Sequence, residues 1–398
     1  MGNRIYFANQ QVAFRQDGDA SSTAWTVAHG VQSVAVTTTF NLEQAFELGQ
    51  LSIYENIEGV PDIEVTLSKV LDGYPLLYTL ATHNGSNAYT PSTGPLTSPT
   101  LAGRSNEKCL VAVGIWPDTS DQTTGASYVQ QMEMSGMFVS SVGYNFPLED
   151  NFTEDLTLVG NNKAWANLDE AGEAIGCANP SWALKLASGG FAGNDQPLAG
   201  AASGNINRRE NMSFAETLSI FAGAEQNYTR MPTEIPGVGS SGWMSPRGNA
   251  NNAVHLSSIT VSTDLGREEL FEMGTRQPYA RVVTFPIEVT TDIEMISLSG
   301  DLINAFADGC DENGANDPCS GITDNLTNQS IRIVTCEGTS IFLGDKNKLA
   351  SVNYGGGDAG GGNVTVSYSY TNFNDFTVMH PHDPSTGIVW TNRATYLK

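Results

Sequence analysis

An internal repeat constrains the fold more than any other feature of this sequence. The phrase "NLEQAFELG" at residues 41–49 returns as "GREELFEMG" at residues 266–274, and Phe46 and Phe271 are separated by 225 positions. This period is far longer than those of solenoid or propeller repeats. The repeat therefore indicates two similar units of domain size in one chain.

The match continues upstream without a gap, where residues 31–40 ("VQSVAVTTTF") lie over residues 256–265 ("LSSITVSTDL"). Apolar residues alternate in both segments, which is the period of a half-buried β-strand. The alternating residues are Val34 and Val36 in the first copy, and Ile259 and Val261 in the second. Each copy is thus expected to begin with a strand.

Three further blocks follow in the same order. They are "IEVT" at 63–66 and 287–290, "SVGY" at 141–144 with "SVNY" at 351–354, and "NFTEDLTL" at 151–158 with "NFNDFTV" at 372–378. Blocks that keep their order indicate a duplicated domain. We predict a first domain at residues 1–165, a linker or insertion rich in Gly, Ala and Asn at 166–210, and a second domain at 211–398.

Both copies have the same predicted element order. A strand leads into a short acidic helix or turn, followed by a long strand pair, later strands and a final hairpin. The glycine run at 355–362 is expected to form the tip of the second hairpin. The first part of this linker is compatible with a helix.

The composition favours an all-β chain and argues against nucleic-acid binding. Only 16% of the residues are charged, and 43 acidic residues against 19 basic ones give a formal net charge of −24. Such a chain repels a phosphate backbone, because binding one requires Lys and Arg to displace counterions. The N-terminal residues show neither the apolar core of a signal peptide nor a myristoylation pattern, and no membrane association is expected.

The sequence shows no catalytic motif, and we predict no enzyme activity and no cofactor. It contains no phosphate-binding Gly-x4-Gly-Lys-Ser/Thr loop, no Gly-x-Ser-x-Gly and no His-Glu-x-x-His. "HPHDP" at 380–384 is interpreted as an exposed turn rather than a metal site, and the acidic loop at 308–319 as a solvated loop rather than a Ca²⁺ site. Cys109, Cys177 and Cys336 are expected as reduced thiols, whereas pairing of Cys310 with Cys319 stays open.

The repeated acidic element is the candidate functional feature. Two interpretations stand: solvated short helices with Phe46 and Phe271 in the cores, or a contact surface for a neighbouring copy. In either case a glycine ends the element as a helix C-cap would. The candidate residues are Glu43, Phe46, Glu47, Gly49, Glu268, Phe271, Glu272 and Gly274.

Residues 256–290 ("DLGREELFEMG…PYARVVTFPIEVT" within them) and the "NFNDFTV" segment resemble the tail tube proteins of long-tailed bacteriophages, in particular those with two tube domains per chain. The resemblance covers about half of the chain. It implies two β-sandwich or partly closed barrel domains, each with a short flanking helix. It also implies trimeric, pseudo-hexameric rings that stack into a tube in the virion tail.

The same resemblance implies partners and a location. Copies of the chain would contact each other and other tail proteins, such as the tape measure, baseplate and tail terminator proteins, after assembly in the host cytoplasm. DNA would pass through the lumen without specific binding, and an acidic wall suits that passage. The lumen-facing acids are not identified by the sequence.

Three alternatives remain open at this stage. A baseplate hub or distal tail ring would use the same domain in a single ring. A β-sandwich carbohydrate-binding module is a different class, for which Trp116, Trp243 and Trp390 are candidate exposed aromatics. A glycosidase would require two carboxylates at a defined separation, which the sequence does not establish.

Overall fold

The computed structural model describes residues 4–16, 26–49, 51–72, 74, 76–82, 101, 107–118, 130–168, 174–175, 206–214, 229–238, 255–275, 278–296, 300, 301, 303, 327–336, 339–355, 357 and 362–379. Antiparallel β-sheets dominate these residues, so the expectation of a mainly β chain is confirmed. The described strands close no barrel.

The first half contains strands β1 (Gln10–Gln16), β2 (Thr26–Val27), β3 (Val31–Thr39), β4 (Leu42–Phe46), β5 (Ile53–Glu58), β6 (Asp62–Val70), β7 (Cys109–Ile115), β8 (Gln130–Pro147), β9 (Thr153–Gly160), β10 (Asn162–Leu168) and β11 (Ala174–Ile175), with helix α1 (Leu77–Thr82) after β6. The second half contains β12 (His255–Asp264), β13 (Arg267–Leu270), β14 (Ala280–Val283), β15 (Glu288–Ile296), β16 (Arg332–Val334), β17 (Ser340–Phe342), β18 (Lys348–Gly355), β19 (Thr365–Phe373) and β20 (Thr377–Met379). Short 3₁₀ helices occur at Phe7–Asn9 and Arg209–Asn211.

The repeat appears directly in the strand order of the main sheet. The first copy pairs its strands in the order β3-β6-β9-β8, and the second pairs β12-β15-β19-β18, with every neighbour antiparallel. The last strand of the first copy, β8, pairs with the first strand of the second, β12. Two equivalent four-stranded units are therefore joined side by side in one continuous sheet.

Two β-bulges recur at equivalent places. The register shifts at Gln32 in β3 and at Ser257 in β12, and these residues are 225 apart. It shifts again at Ser140 in β8 and at Ala350 in β18, just before the "SVGY" and "SVNY" blocks. Because each bulge adds one unpaired residue to a strand, its recurrence shows that these strand pairs correspond residue by residue.

The other two sequence blocks correspond less closely than predicted. The "IEVT" blocks lie in corresponding strands but two ladder positions apart, since Val65 pairs with Val36 whereas Thr291 pairs with Val261. A shift of two preserves the face of every side chain. The "NFTEDLTL" and "NFNDFTV" match was wrong. The counterpart of β9 is β19, and residues 372–378 run from the end of β19 into β20 of another sheet.

Strand β8 belongs to two sheets. Its first part pairs with β7 and β10, and its second part pairs with β9 and β12. Gly136, with φ of +64°, lies where β8 passes from one set of partners to the other. Strand β10 runs to Leu168 and pairs with Ala174–Ile175, so the described residues at the start of the linker form strands instead of the expected helix. Most of the predicted linker at 166–210 lies outside the described residues.

One face of the main sheet carries the core, and this core runs through both copies. Helix α1, which fulfils the flanking-helix prediction for the first copy, contacts β1, β8, β9 and β20 on this side. Side chains from both copies form a single buried cluster, including Val65, Tyr144, Leu156, Val261, Ile293 and Tyr368. The two repeated units thus share one sheet and one core. None of the described helices is long and apolar enough to cross a membrane.

Candidate assembly interface

The repeated acidic element, predicted as a short helix or turn, forms a β-hairpin in each copy, so the helix is wrong and a turn lies near each tip. Strand β4 pairs with β5, and β13 pairs with β14. Gly49 (φ +96°) and Gly274 (φ +94°) are turn residues near the tips rather than helix C-caps. Left-handed backbone at both positions favours glycine, which explains why both copies carry it.

The candidate residues are exposed on these hairpins. Glu43, Glu47, Glu268 and Glu272 are solvent-exposed, as expected for acids on a surface element. Phe46 is 66% exposed and Phe271 is 54% exposed, so neither belongs to the core. Leu48 and Met273, and likewise Tyr54 and Tyr279, form two more exposed pairs at the same spacing of 225. Both tips therefore present the same apolar residues to the surroundings.

The base of the second hairpin packs on the first copy through Arg267. Its Nε donates a hydrogen bond to the Val139 carbonyl oxygen at 2.8 Å, and its guanidinium carbon lies 5.1 Å from the centre of the Phe138 ring. Burial lowers the pKa of Arg267 to about 10. The residue stays charged at neutral pH and fixes the hairpin against β8.

Arg281 makes a second connection between the copies. Its guanidinium forms an ion pair with Glu269 of the neighbouring strand and lies 3.3 Å from Asp62 of the first copy. It also donates to Asn161 Oδ1, at 3.1 Å from Nη2. The second hairpin is therefore held against the first copy by two arginines, each of which contacts residues of that copy.

The first hairpin lacks both arginines. In the hairpin register, Leu42 replaces Arg267 and Asn56 replaces Arg281, while Glu58 replaces the buried Val283. An open cleft of about 610 Å³ lies at its base, lined by residues that include Phe40, Leu42 and Glu58. The first hairpin is thus more exposed along its length than the second.

The junction between the copies buries apolar side chains from both strands. Strands β8 and β12 pair from Ser258 opposite Pro147 to Asp264 opposite Ser141. The following backbone continues the contact, since the Leu265 N–H donates to the Ser140 carbonyl oxygen at 2.8 Å. Val142, Tyr144, Ile259, Val261 and Leu265 are all buried along this junction.

The outer edges of the sheet display the same residues without a partner strand. Within the described chain, β3 pairs only with β6, and β18 only with β19. Tyr144 is 1% exposed, whereas its counterpart Tyr354 in β18 is 49% exposed. Leu265 is likewise 1% exposed, whereas its counterpart Phe40 after β3 is 71% exposed. The edges thus expose large side chains at positions equivalent to those that are buried at the internal junction.

These edges also lack the usual protection against strand pairing. Strand β3 has nine residues and β18 has eight, and neither contains a proline. Strand β3 contains no charged residue, and β18 has only Lys348 at its first position. Proteins that keep an edge strand unpaired normally shorten it or place charges and prolines along it. Long uncharged edges favour pairing with another strand.

The face of the main sheet opposite the core is polar and acidic. Side chains here alternate with the buried ones, and most are Ser, Thr or Asn. Among the described residues of the eight strands, Lys348 is the only Lys or Arg on this face. The acids on it are Asp62, Glu64, Asp155, Asp264, Glu288, Asp292 and Glu294.

A buried carboxylate, Glu154, ties helix α1 to the sheet. It accepts hydrogen bonds from the backbone N–H groups of Leu77 at 2.6 Å and Tyr78 at 3.0 Å, and from the Tyr144 hydroxyl at 2.7 Å. Burial raises the pKa of Glu154 above its ordinary value, and these hydrogen bonds oppose the rise. The group has three internal donors and is fully buried, which suits a structural role.

The structure tests few of the other sequence predictions for metals and thiols. Cys109 is buried, and neither Cys109 nor Cys336 forms a disulfide. In the described part of the chain, no group of three or more His, Cys, Asp or Glu residues is arranged to hold a metal ion. The segment at 380–384, the loop at 308–319 with Cys310 and Cys319, and Cys177 all lie outside the described residues.

Comparisons with known proteins give weak structural likenesses only. No family model matches the chain, and no curated protein matches it. One solved structure similar to part of it is the anti-feeding prophage baseplate, at 11% identity, covering 42% of this chain and 98% of that chain with a TM-score of 0.28. Another is the sheath-tube complex of the extracellular contractile injection system PVC, at 13% identity, covering 41% and 92%, with a TM-score of 0.27. A third is the tube-terminating cap of the anti-feeding prophage, at 12% identity, covering 42% and 93%, with a TM-score of 0.27.

Sequence reasoning found the two repeated elements but missed the edges and the arginines. The signal for the edges was present, because "SVGY" and "SVNY" match in sequence, but the sequence does not show which strand lies beside each segment. Arg267 and Arg281 have no basic counterparts in the first copy. Only the tertiary contact with Asp62, Val139 and Asn161 reveals their role.

Proposed function

We propose that this chain is a structural subunit of a phage tail tube, in which strand β18 of one copy pairs with strand β3 of the next. The proposal rests on a contrast in burial between the internal junction and the two outer edges of the sheet. Residues buried where β8 meets β12 have counterparts that are exposed on β18 and beside β3. Pairing the two edges would bury them again, and each large apolar side chain contributes about 1.5–3 kcal/mol when fully buried.

The internal junction predicts the register of this contact. If β18 replaces β8 and β3 replaces β12, Tyr354 lies opposite Val36 of the next copy, and Asn353 lies opposite Thr37. Phe40 then reaches the bulge at Ala350 of that neighbour, as Leu265 reaches the bulge at Ser140 within the chain. Such a contact joins different surfaces of two copies, so a closed assembly built from it is a ring.

Three copies give a ring of six similar four-stranded units, as the resemblance to two-domain tail tube proteins implies. The core side of each sheet is covered by its own chain, which leaves the acidic face bare for the lumen. Glu64, Asp155, Asp292 and their neighbours would then line a wall that repels the phosphates of passing DNA. No specific binding of DNA is required for that role.

The hairpin tips favour stacked rings over a single ring. The three exposed apolar pairs at Phe46 and Phe271, at Leu48 and Met273, and at Tyr54 and Tyr279 are repeated in both copies. They therefore recur six times around a trimeric ring and would meet the same feature of an adjacent ring each time. The alternative, a baseplate hub or distal tail ring, uses the same edge contact but does not stack.

On this proposal the protein resides in the virion tail after assembly in the host cytoplasm. Its partners are other copies of itself and the tail proteins at the ends and inside the tube, such as the tape measure, baseplate and tail terminator proteins. It performs no catalysis and needs no cofactor.

Electron microscopy and native mass spectrometry of the purified chain test the assembly. Stacked rings built from trimers support the tube, and single trimeric rings support the hub or distal ring. A chain that stays monomeric at all concentrations, even when seeded with a tail initiation complex, would overturn both.

A cysteine pair tests the register itself. Thr37→Cys with Asn353→Cys places two thiols opposite each other across the proposed contact, on the polar face. Ala35→Cys with Ser351→Cys has the same number of thiols but separates them by four residues, or about 13 Å along the strands. Only the first pair should form disulfide-linked oligomers, because a disulfide requires Cα atoms closer than about 7 Å.

A further inference from the structure

We propose that the contact between copies is closed by an ion pair between Lys348 of one copy and Glu58 of the next. This inference rests on the proposed ring. In that ring the four-stranded units meet at two kinds of junction, which differ in their residues. One kind lies inside each chain, where the second hairpin meets β8. The other lies between chains, where the first hairpin would meet β18.

The junction inside the chain provides the template. Arg267 on the hairpin reaches β8, where its guanidinium lies over Phe138 and its Nε donates to the Val139 carbonyl oxygen. Val283, the ladder partner of Arg267, is buried beside it. At this place the hairpin supplies the positive charge, and the strand supplies an aromatic ring.

The repeat reverses these roles between chains. The bulges align Phe138 with Lys348, and Val139 with Leu349. The hairpin registers align Arg267 with Leu42, and Val283 with Glu58. At this junction the strand supplies the positive charge, and the hairpin supplies an apolar side chain with an acid beside it.

The geometry of the hairpin brings both partners to the same spot. Leu42 and Glu58 are directly paired in the ladder, so their side chains leave the same face of the hairpin. In the template that face is the one from which Arg267 contacts β8. Leu42 would cover Leu349 and the aliphatic part of Lys348, while the ammonium group reaches the Glu58 carboxylate.

The surrounding charge supports this assignment. The polar face of the sheet is acidic. Lys348, at one end of the edge strand, is the only Lys or Arg on this face among the described residues of the eight strands. Glu58 lines the cleft of about 610 Å³ at the base of the first hairpin, which the neighbouring edge would enter. A cation on one edge and an acid beside the other edge favour head-to-tail pairing, because this pairing brings the two opposite charges together.

The charge-swap experiment uses the full chain, three charge-swap variants and one control variant. Glu58→Lys and Lys348→Glu should each raise the protein concentration at half-assembly about tenfold, because each places like charges together at the contact. The double variant should return it to within about twofold of the original. Glu55→Lys is the matched control, because residue 55 lies on the opposite face of the same strand and makes the same charge change.

The outcomes separate the ion pair from the ring. If the Thr37→Cys and Asn353→Cys pair crosslinks in register but the double charge variant does not recover assembly, the ring stands and the ion pair is wrong. If neither crosslinking nor rings are observed, the proposed function fails and the ion pair fails with it. Circular dichroism and thermal unfolding of each variant confirm that a loss of assembly does not come from misfolding.

Discussion

Tyr144 and Tyr354 occupy the same position in the two copies and differ only in what surrounds them. Tyr144 is buried and donates to Glu154, whereas Tyr354 lies half-exposed on the edge strand. We expect Tyr144→Ala to lower the free energy of unfolding of the monomer by about 4 kcal/mol, because it leaves a cavity in the core. Tyr354→Ala should change it by less than about 1 kcal/mol but prevent assembly.

Thermal unfolding and sedimentation velocity of the two variants give the comparison. Tyr354→Phe serves as the control, because it keeps the ring and should assemble normally. Assembly of Tyr354→Ala at the concentration that suffices for the unmodified chain would contradict the edge contact.

Glu154 gives a pH dependence whose sign follows from its burial. Burial raises its pKa in the folded state above the value of about 4.3 for an unfolded Glu. Below that value both states are protonated and no penalty exists. As the pH rises from there to the raised pKa, the unfolded state ionises first, so the folded state loses stability.

The comparison with Glu154→Gln isolates this effect, because glutamine does not ionise. We expect the free energy of unfolding of the original chain to fall relative to that of the variant between pH 4 and neutral pH. Urea unfolding of both chains across this range measures the difference. A difference that stays constant with pH would show that Glu154 does not have a raised pKa.

Among the elements, the strands and the final hairpin of each copy were predictable, whereas the two repeated acidic hairpins were not. Alternating apolar residues such as Val34 and Val36 define β3 because each strand has one buried face. The "LEQAFEL" segment has acidic residues and helix-forming side chains, which favour a helix locally. Pairing with residues 53–58 decides for a strand instead, and that pairing depends on tertiary context rather than on propensity.

The hairpin tips can be tested separately from the edges. Phe271→Asp and Phe46→Asp each place a charge on an exposed apolar tip. The monomer should keep its free energy of unfolding within about 0.5 kcal/mol, because exposed substitutions rarely change it more. Rings should still form, but stacking should be lost, since an unpaired charge would be buried between rings.

Electron microscopy distinguishes single rings from tubes in these variants. Thr260→Asp is the control, since it adds the same charge at an exposed position of β12, away from both tips. Normal tubes from Phe271→Asp would assign the tips to some contact other than stacking, and loss of the rings themselves would assign them to the contact between copies.

At the scale of the whole molecule, duplication was evident from the sequence, but the joining of the copies was not. The pairing of β8 with β12 connects residues more than a hundred positions apart, such as Tyr144 and Val261. Short matching phrases report what each unit contains and carry no information on which edges meet. The acidic face was unpredictable for the same reason, because its members come from four different strands of the two copies.

The continuous sheet and core predict how the chain unfolds. Two domains separated at residues 166–210 would unfold independently and show two transitions. The structure instead joins the units through seven residue pairs between β8 and β12 and through one apolar cluster. We expect a single cooperative transition of the monomer, with equal calorimetric and van't Hoff enthalpies.

Hydrogen exchange at increasing urea shows whether the two units lose structure together. Peptides from β6 and β15 should lose protection at the same urea concentration, and Tyr144→Ala should shift both together, because its cavity weakens a core that both units use. Loss of protection in β6 well before β15 would show that the shared sheet does not couple the units.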